Sequence, residues 1–459
     1  MTTTATEVEF DPIDALTRGI AAMVARDDEI AQDRRYFEGD HPRLEWITKI
    51  RKVFGDQVAD QVHQANYCEK AILAPLARMA VEGFSDITAE ELFRKNGLMQ
   101  AQEDLYSDAM IAAEGYVILA EAEPGSDVPY DIVVQRSENV YVEPGSLKPN
   151  DRLWAIKVEG DPYLGDEGGY RAWVWDGTDY YRFVAPVGNP DKTPRPKAGA
   201  FTPDPEDESG PHGFDRVPVI PFKRGRDPRS RLKSLRPVQD RIDMLEIEKV
   251  VAGLFGASKQ RVFFTHQELN DGDTESSPDF AIVLDPGNKE DGQASVTEFT
   301  HTPLENFDKG IDAEIERFYE LASLPKHGRV NPGAGASGEA LKADEGDFVA
   351  MIRGYTGSWD AAWVEVFAML GIETEVVWRD PETRNELTQM QVVKYAVDAG
   401  VPLETALVRW ADFTADDLAD LAKAKQTADA AAAAAREAAM QALDQGRSTS
   451  DVIDSNFGG

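Results

Sequence analysis

Two neighbouring segments decide the fold. Leu304-Glu-Asn-Phe-Asp-Lys-Gly-Ile-Asp-Ala-Glu-Ile-Glu-Arg-Phe-Tyr-Glu-Leu321 is followed, after a short break, by Asn331-Pro-Gly-Ala-Gly-Ala-Ser-Gly-Glu-Ala-Leu341. Phe307, Ile311, Ile315, Phe318 and Leu321 recur at intervals of three and four, which draws one apolar stripe along a helix. Asp308, Lys309, Asp312, Glu314, Glu316, Arg317 and Glu320 load the other face with charge. Leu324-Pro325 closes the helix, because a residue before proline is pushed out of the α region. Ser337 then stands where the cap of a second helix belongs.

The same connection contains a G-x-G-x-x-G match, Gly333, Gly335 and Gly338, with Asp360 downstream. A dinucleotide fingerprint needs a buried strand running into its first glycine, so that backbone amides and a helix N-terminus face the pyrophosphate. Here the approach is Leu324-Pro-Lys-His-Gly-Arg-Val-Asn-Pro332, polar and broken by two prolines, and it leaves a helix. A dinucleotide-binding cytosolic enzyme using Gly333, Gly335 and Gly338 is the alternative to be excluded. No Gly-Lys-Ser/Thr phosphate loop is present.

The formal net charge is −35, from 83 acidic and 48 basic residues. A protein that grips nucleic acid gains affinity from Lys and Arg replacing counterions at phosphates, so this balance argues against tight DNA binding. It suits a conduit through which a polyanion must slide, and equally suits plain solubility. Cys68 is the only cysteine, which rules out an intrachain disulfide and a thiolate metal cluster. The six histidines, at 41, 63, 212, 266, 301 and 327, lack zinc-ligand spacing, and His327 beside the loop glycines reads as a solvated loop residue. Acid pairs such as Asp416-Asp417 are expected by chance in so acidic a chain. No nucleophile elbow or metalloprotease helix is present, so no catalytic residue, cofactor or metal is expected. The N-terminal residues lack the regions of a signal peptide and no apolar run would span a bilayer, which points to the cytoplasm or a particle assembled there, with no membrane partner.

Working outward, residues 11–36 read as a helix with Ile13, Leu16, Ile20, Met23 and Val24 on one face, ending in Tyr36-Phe-Glu-Gly-Asp-His-Pro42. Further helices are expected at 56–81 and 99–113. From 115 to 185 short β-branched and aromatic runs indicate strands, their Trp and Tyr reading as sheet-face packing and not as a base-stacking platform, since no basic residues interleave. Residues 186–215, rich in Pro and Gly, read as a mobile surface loop. Val217-Pro-Val-Ile-Pro-Phe222 is an edge strand, because two prolines forbid a central one. A helix over 234–258 carries Met244, Ile247, Val251, Leu254 and Phe255 on one face, with Gly253 and Gly256 allowing close approach by a neighbour. One apolar run, Phe280–Leu284, lies among Asp/Gly turns in 266–302. Residues 339–370 form the longest helix, striped by Phe348, Met351, Ile352, Tyr355, Trp359, Trp363, Val366 and Leu370. Thr414 with Asp417 makes a capping box for an alanine-rich helix reaching about 443, and the end from Ser448 frays. The fold class is α+β, predominantly α-helical.

The exception to the acidic trend is Lys223, Arg224, Arg226, Arg229, Arg231, Lys233 and Arg236, just ahead of the 234–258 helix. Two readings stand: a surface for DNA or for a partner subunit's carboxylates, or an ordinary solvated linker.

The order Tyr-Phe-Glu-Gly-Asp-His, Val-Pro-Val-Ile-Pro-Phe, helix, small module, helix, Ser-Gly-Glu-Ala-Leu resembles the portal proteins of tailed bacteriophages. The likeness is to the family built like the portal of phage SPP1, in its actinobacteriophage form. It covers approximately residues 30–370. The resemblance implies a portal fold divided as follows. Residues 1–233 would be an N-terminal wing part, 234–265 stem helix 1, 266–302 a clip and 303–325 stem helix 2. Residues 326–338 would be a tunnel loop, 339–410 a long wing helix and return, and 411–459 a crown and tail. Met244, Ile247, Val251, Phe307, Ile311, Ile315 and Phe318 would pack the stem, while Arg329, Asn331, Gly333, Gly335 and Ser337 would touch DNA from the loop. The family role is a homo-oligomeric ring of about twelve subunits at one capsid vertex. It passes double-stranded DNA without binding it tightly, during packaging and ejection. It meets the terminase large subunit, the head-tail adaptor and the major capsid protein, and resides in the virion after assembly in the host cytoplasm.

Overall fold

The computed structural model describes residues 10–41, 65–145, 151–165, 167–206, 209–257, 303–326, 338–382, 386–411 and 415–444, with positions 48, 51–52 and 413 and short strands at 261–264, 282–284 and 295–298. The chain divides into two compact units, one running to Pro381 and the other from Glu382.

Helix α1 (Pro12–Glu38) starts with proline at its first turn and with Asp11 accepting from the amide of Ile13, and stops at Gly39, whose φ of 79° is left-handed. Leu16, Ile20 and Met23 are buried as the periodicity requires, but Ile13 and Val24 are exposed, so the buried stripe is narrower than the sequence suggested. Helix α2 (Tyr67–Leu76) ends before the expected limit at 81, while 56–64 lie outside the described residues. The residues read as its end, β1 (Val81–Phe84), are a strand. Helices α3 (Ile87–Lys95) and α4 (Leu98–Ile111) follow, the first of them not foreseen.

Strands β2 (Glu114–Glu121) and β3 (Tyr130–Gln135) pair antiparallel. Then come β4 (Val140–Pro144), β5 (Arg152–Asp161), β6 (Gly169–Trp175) and β7 (Asp179–Ala185), a meander extended by the short β8 (Thr202–Pro203) and β9 (Gly210–Pro211), both on β7. The segment read as a mobile surface loop, 186–215, is instead folded onto this sheet. Ala198 and Phe201 join its core, and buried Asp204 meets Arg171 at 3.1 Å and Arg182 at 3.6 Å. Helix α1 lies against the same sheet, close enough at Gly19 that an added Cβ would stand 2.4 Å from Ile156 Cδ1. The aromatic residues pack the sheet as expected, with Trp154, Tyr170, Trp175 and Phe183 buried. Cations do interleave with them, though across strands: Lys157, Trp173 and Arg182 stand in register, both cations over the indole.

Strand β10 (Val219–Lys223) pairs only with β2, at the edge of the sheet β10-β2-β3, where proline costs least. Helix α5 (Arg236–Ala257) leads into β11 (Arg261–Phe264), β12 (Ile282–Leu284) and β13 (Ser295–Glu298), ordered β12-β11-β13. Helix α6 (Leu304–Leu321) returns, and α7 (Gly338–Met369) is the longest, 32 residues. Its stripe is the centre of the main core. Trp359 stacks on Tyr106 at 4.6 Å, and Trp363 donates its indole N–H to the Tyr106 hydroxyl at 2.7 Å. Strand β14 (Val376–Trp378) then crosses back to pair antiparallel with β1.

In the second unit α8 (Glu386–Asp398) and α9 (Leu403–Ala411) pack through Val393, Ala406 and Leu407, and α10 (Ala415–Asp444) is the alanine-rich helix. The cap residue Thr414 lies outside the described residues. No helix among the described residues is long and apolar enough to cross a membrane.

Candidate functional site: the paired helices and their root

Helices α5 and α6 run antiparallel, as three cross-contacts show: Arg241 with Glu314 at 3.0 Å, Leu245 over Gly310, and Lys249 with Asp308. The seam between helices and core is apolar, with Ile247, Ile311, Ile315 and Phe318 buried. Val251 and Phe307 are half-buried farther out. Met244, placed on the packing stripe by the sequence, is instead 40 % exposed, because the buried arc of α5 passes through Val238, Gln239, Ile242 and Asp243. Leu321 is likewise exposed, at 53 %. The flanking ion pairs are solvent-accessible and each contributes little stability.

At the root of α5 the buried face turns polar. Tyr36 and His41 stack at 5.1 Å beyond the turn made by Gly39. The Tyr36 hydroxyl donates to Asp240 at 2.5 Å, and His41 Nδ1 lies 2.7 Å from Asp243 Oδ2. Gln239 donates to the other Asp243 oxygen and to the Ala65 carbonyl, each at 2.8 Å, and accepts from the Tyr67 amide at 3.0 Å. Asn66 ties in the turn by donating to the Phe37 carbonyl at 2.8 Å. Arg236 reaches buried Asp33 at 3.2 Å and lies over the Tyr36 ring. Burial alone would depress the His41 pKa, but the hydrogen bond and charge of Asp243 outweigh it, and the net direction is upward. Asp33 is pushed up by burial, as is the thiol of Cys68, a buried neighbour with no exposed surface.

Sequence reading missed this network because apolar periodicity did not single out Gln239, Asp240 or Asp243. A signal was present: Gln239 and Asp243 are four apart on the face that also holds Ile242, opposite a histidine in a turn already singled out.

The basic run is mostly occupied within the chain. Lys223 is 3.9 Å from Glu114, Lys233 is 2.6 Å from Glu29, and Arg236 holds Asp33. Arg231 is drawn inward, donating to the carbonyls of Ala71 at 2.9 Å and of Ala322; burial depresses its pKa. These four contacts brace the root from within the chain. Arg224 is exposed with its guanidinium over the Tyr355 ring at 4.7 Å. Arg226 and Arg229 are exposed with no ion pair among the described residues.

Arg329, Asn331, Gly333, Gly335, Ser337 and His327 lie outside the described residues. The last described element before those glycines is helix α6, not a strand. No group of His, Cys, Asp and Glu able to hold a metal occurs among the described residues.

The family model of phage portal proteins, SPP1 Gp6-like, matches residues 85–436. The chain belongs to that family. Its function is that of a portal protein, a structural role, and the dinucleotide alternative on Gly333, Gly335 and Gly338 has no support. No curated protein matches the sequence. Among solved structures, the portal chain is similar to a chain in the virion of a native gene transfer agent (GTA) particle, at 14 % identity over 79 % of this chain and 91 % of that one, with a TM-score of 0.40. It is also similar to chains in the neck of an empty GTA particle (14 % identity, 79 % and 91 % covered, TM-score 0.39) and in the neck of a native GTA particle (14 %, 80 % and 93 %, 0.38).

Proposed function

We propose that copies of this portal chain close into a ring of about twelve subunits at a capsid vertex, with α5 and α6 as the stem around a channel for double-stranded DNA. The family match over residues 85–436 carries this reading. Three features support it. The helix pair is held by an apolar seam on one side and presents charge on the other. Met244, Leu304 and Leu321 stay exposed on the same two helices, an apolar surface suited to neighbours in a heterologous closed ring. The net charge of −35 disfavours a tight grip on DNA, as sliding requires.

In this reading 266–302 form the clip, 326–338 the tunnel loop that touches DNA through Arg329, Asn331, Gly333, Gly335 and Ser337, and 411–459 the crown and tail. The terminase large subunit docks during packaging and supplies the hydrolysis, so the portal needs no catalytic group. The head-tail adaptor follows, the major capsid protein surrounds the ring, and assembly takes place in the host cytoplasm. Negative-stain images of the purified full chain test it: rings with a central hole are expected, and fields of compact single particles without a hole would overturn it.

A further inference from the structure

We infer that neighbouring copies in the ring are joined laterally by Arg226 and Arg229 of one copy against Glu316 and Glu320 of the next. The inference rests on the ring reading above and names the contact that closes it. Once internal pairs are assigned, the charges left over at the wing end of the stem have opposite signs on two separate segments. From the seven-residue basic run, Arg226 and Arg229 remain exposed with no ion pair among the described residues. On α6, Asp308 meets Lys249, and Glu314 meets Arg241 at 3.0 Å and Arg317 at 3.2 Å. Glu316 and Glu320 are exposed with no partner among the described residues. They stand four apart on one helix face, where like charges repel and destabilise an isolated helix. A cation from outside the chain relieves that repulsion.

Position selects the partner. Arg231 donates to the carbonyl of Ala322 at the end of α6, which brings the C-terminal end of the arginine segment close to the last turn of that helix. Rotation about a ring axis leaves height along the axis unchanged. The arginine segment of one copy therefore stands level with the last turns of α6, and so with Glu316 and Glu320, in every other copy. A heterologous contact uses two different patches, one donated and one received by each subunit, and this is such a pair. Duplex DNA is the other polyanion in reach of exposed arginines. The strongly acidic chain and the level acidic pair favour the second copy.

The test uses the full-length chain in four forms: wild type, Arg226→Glu with Arg229→Glu, Glu316→Lys with Glu320→Lys, and all four changes together. Ring abundance is read by native mass spectrometry at low and high salt, with thermal melting of the dissociated chain as the check on folding. Each double reversal should lower ring abundance at least about tenfold, by placing like charges face to face. The fourfold variant should recover most of it, because the exchanged signs attract again. If the arginine reversal leaves rings as abundant as wild type, the inference is overturned, and loss of DNA from particles carrying that variant would show that the arginines face the bore. A fourfold variant that stays ringless while its chain melts normally also overturns it. A wild type that never forms rings removes the ring reading itself, an outcome separate from the other two.

Discussion

Replacing Asp243 with alanine should be among the most damaging single changes outside the apolar core. His41 is 2 % and Asp243 3 % exposed, and they meet at 2.7 Å. The substitution strands a buried imidazole and also removes an acceptor from Gln239, whose amide bridges to the Ala65 carbonyl. Removing one member of a buried charged pair costs about 3–5 kcal/mol, mostly from the partner left uncompensated. Exchanging both for leucine should recover most of that loss, since well-packed apolar replacements of buried pairs are commonly neutral or better. The assay is unfolding followed by tryptophan fluorescence, because Trp359 and Trp363 report on the core that α5 joins. The pH dependence has a definite sign. The folded-state pKa of His41 is raised above its ordinary value of about 6.5. The stabilisation is thus fully present below about pH 6.5 and is lost as pH rises through the folded value. His41→Gln should flatten that fall. A wild type with no decline above neutrality, or an Asp243→Ala variant within about 1 kcal/mol of wild type, would refute the reasoning.

Trp363→Ala should cost about 3–5 kcal/mol, since it opens a cavity and unpairs the Tyr106 hydroxyl; denaturant unfolding reads it. Gly19→Val should cost about 1–3 kcal/mol through collision with Ile156, and Ile156→Ala added to it should recover part, seen as a rise in melting temperature over the single variant. Shortening residues 331–336 should leave ring yield intact while lowering the DNA content of assembled heads. Arg329→Ala should give a smaller, salt-sensitive loss in the same measurement, because one phosphate contact is weak.

The long helix α7 was legible because its buried residues keep one period from Phe348 through Trp363 to Val366. The edge strand β10 was legible because Pro218 and Pro221 leave few other places for it. The pairing of β1 with β14 was not: four residues and three residues, far apart in sequence, carry no local sign of each other. The 186–215 segment looked free because proline and glycine mark loops, while the buried Asp204 that fastens it finds Arg171 and Arg182 only across the sheet. At the root, apolar periodicity passes over Gln239 and Asp243, since it assigns polar residues to water and cannot register a partner 202 residues away. The basic run shows the reverse case: cations clustered between positions 223 and 236 read as a contact surface or a solvated linker, and nothing local signals that Arg231 and Arg236 face carbonyls and a carboxylate inside the chain.

Native mass spectrometry of the purified full-length chain tests the portal assignment most directly. With a subunit of 50.6 kDa, the account predicts a dominant closed species near ~0.6 MDa, the mass of about twelve copies. A spectrum holding only monomers and dimers, under conditions where the chain is folded, would contradict it.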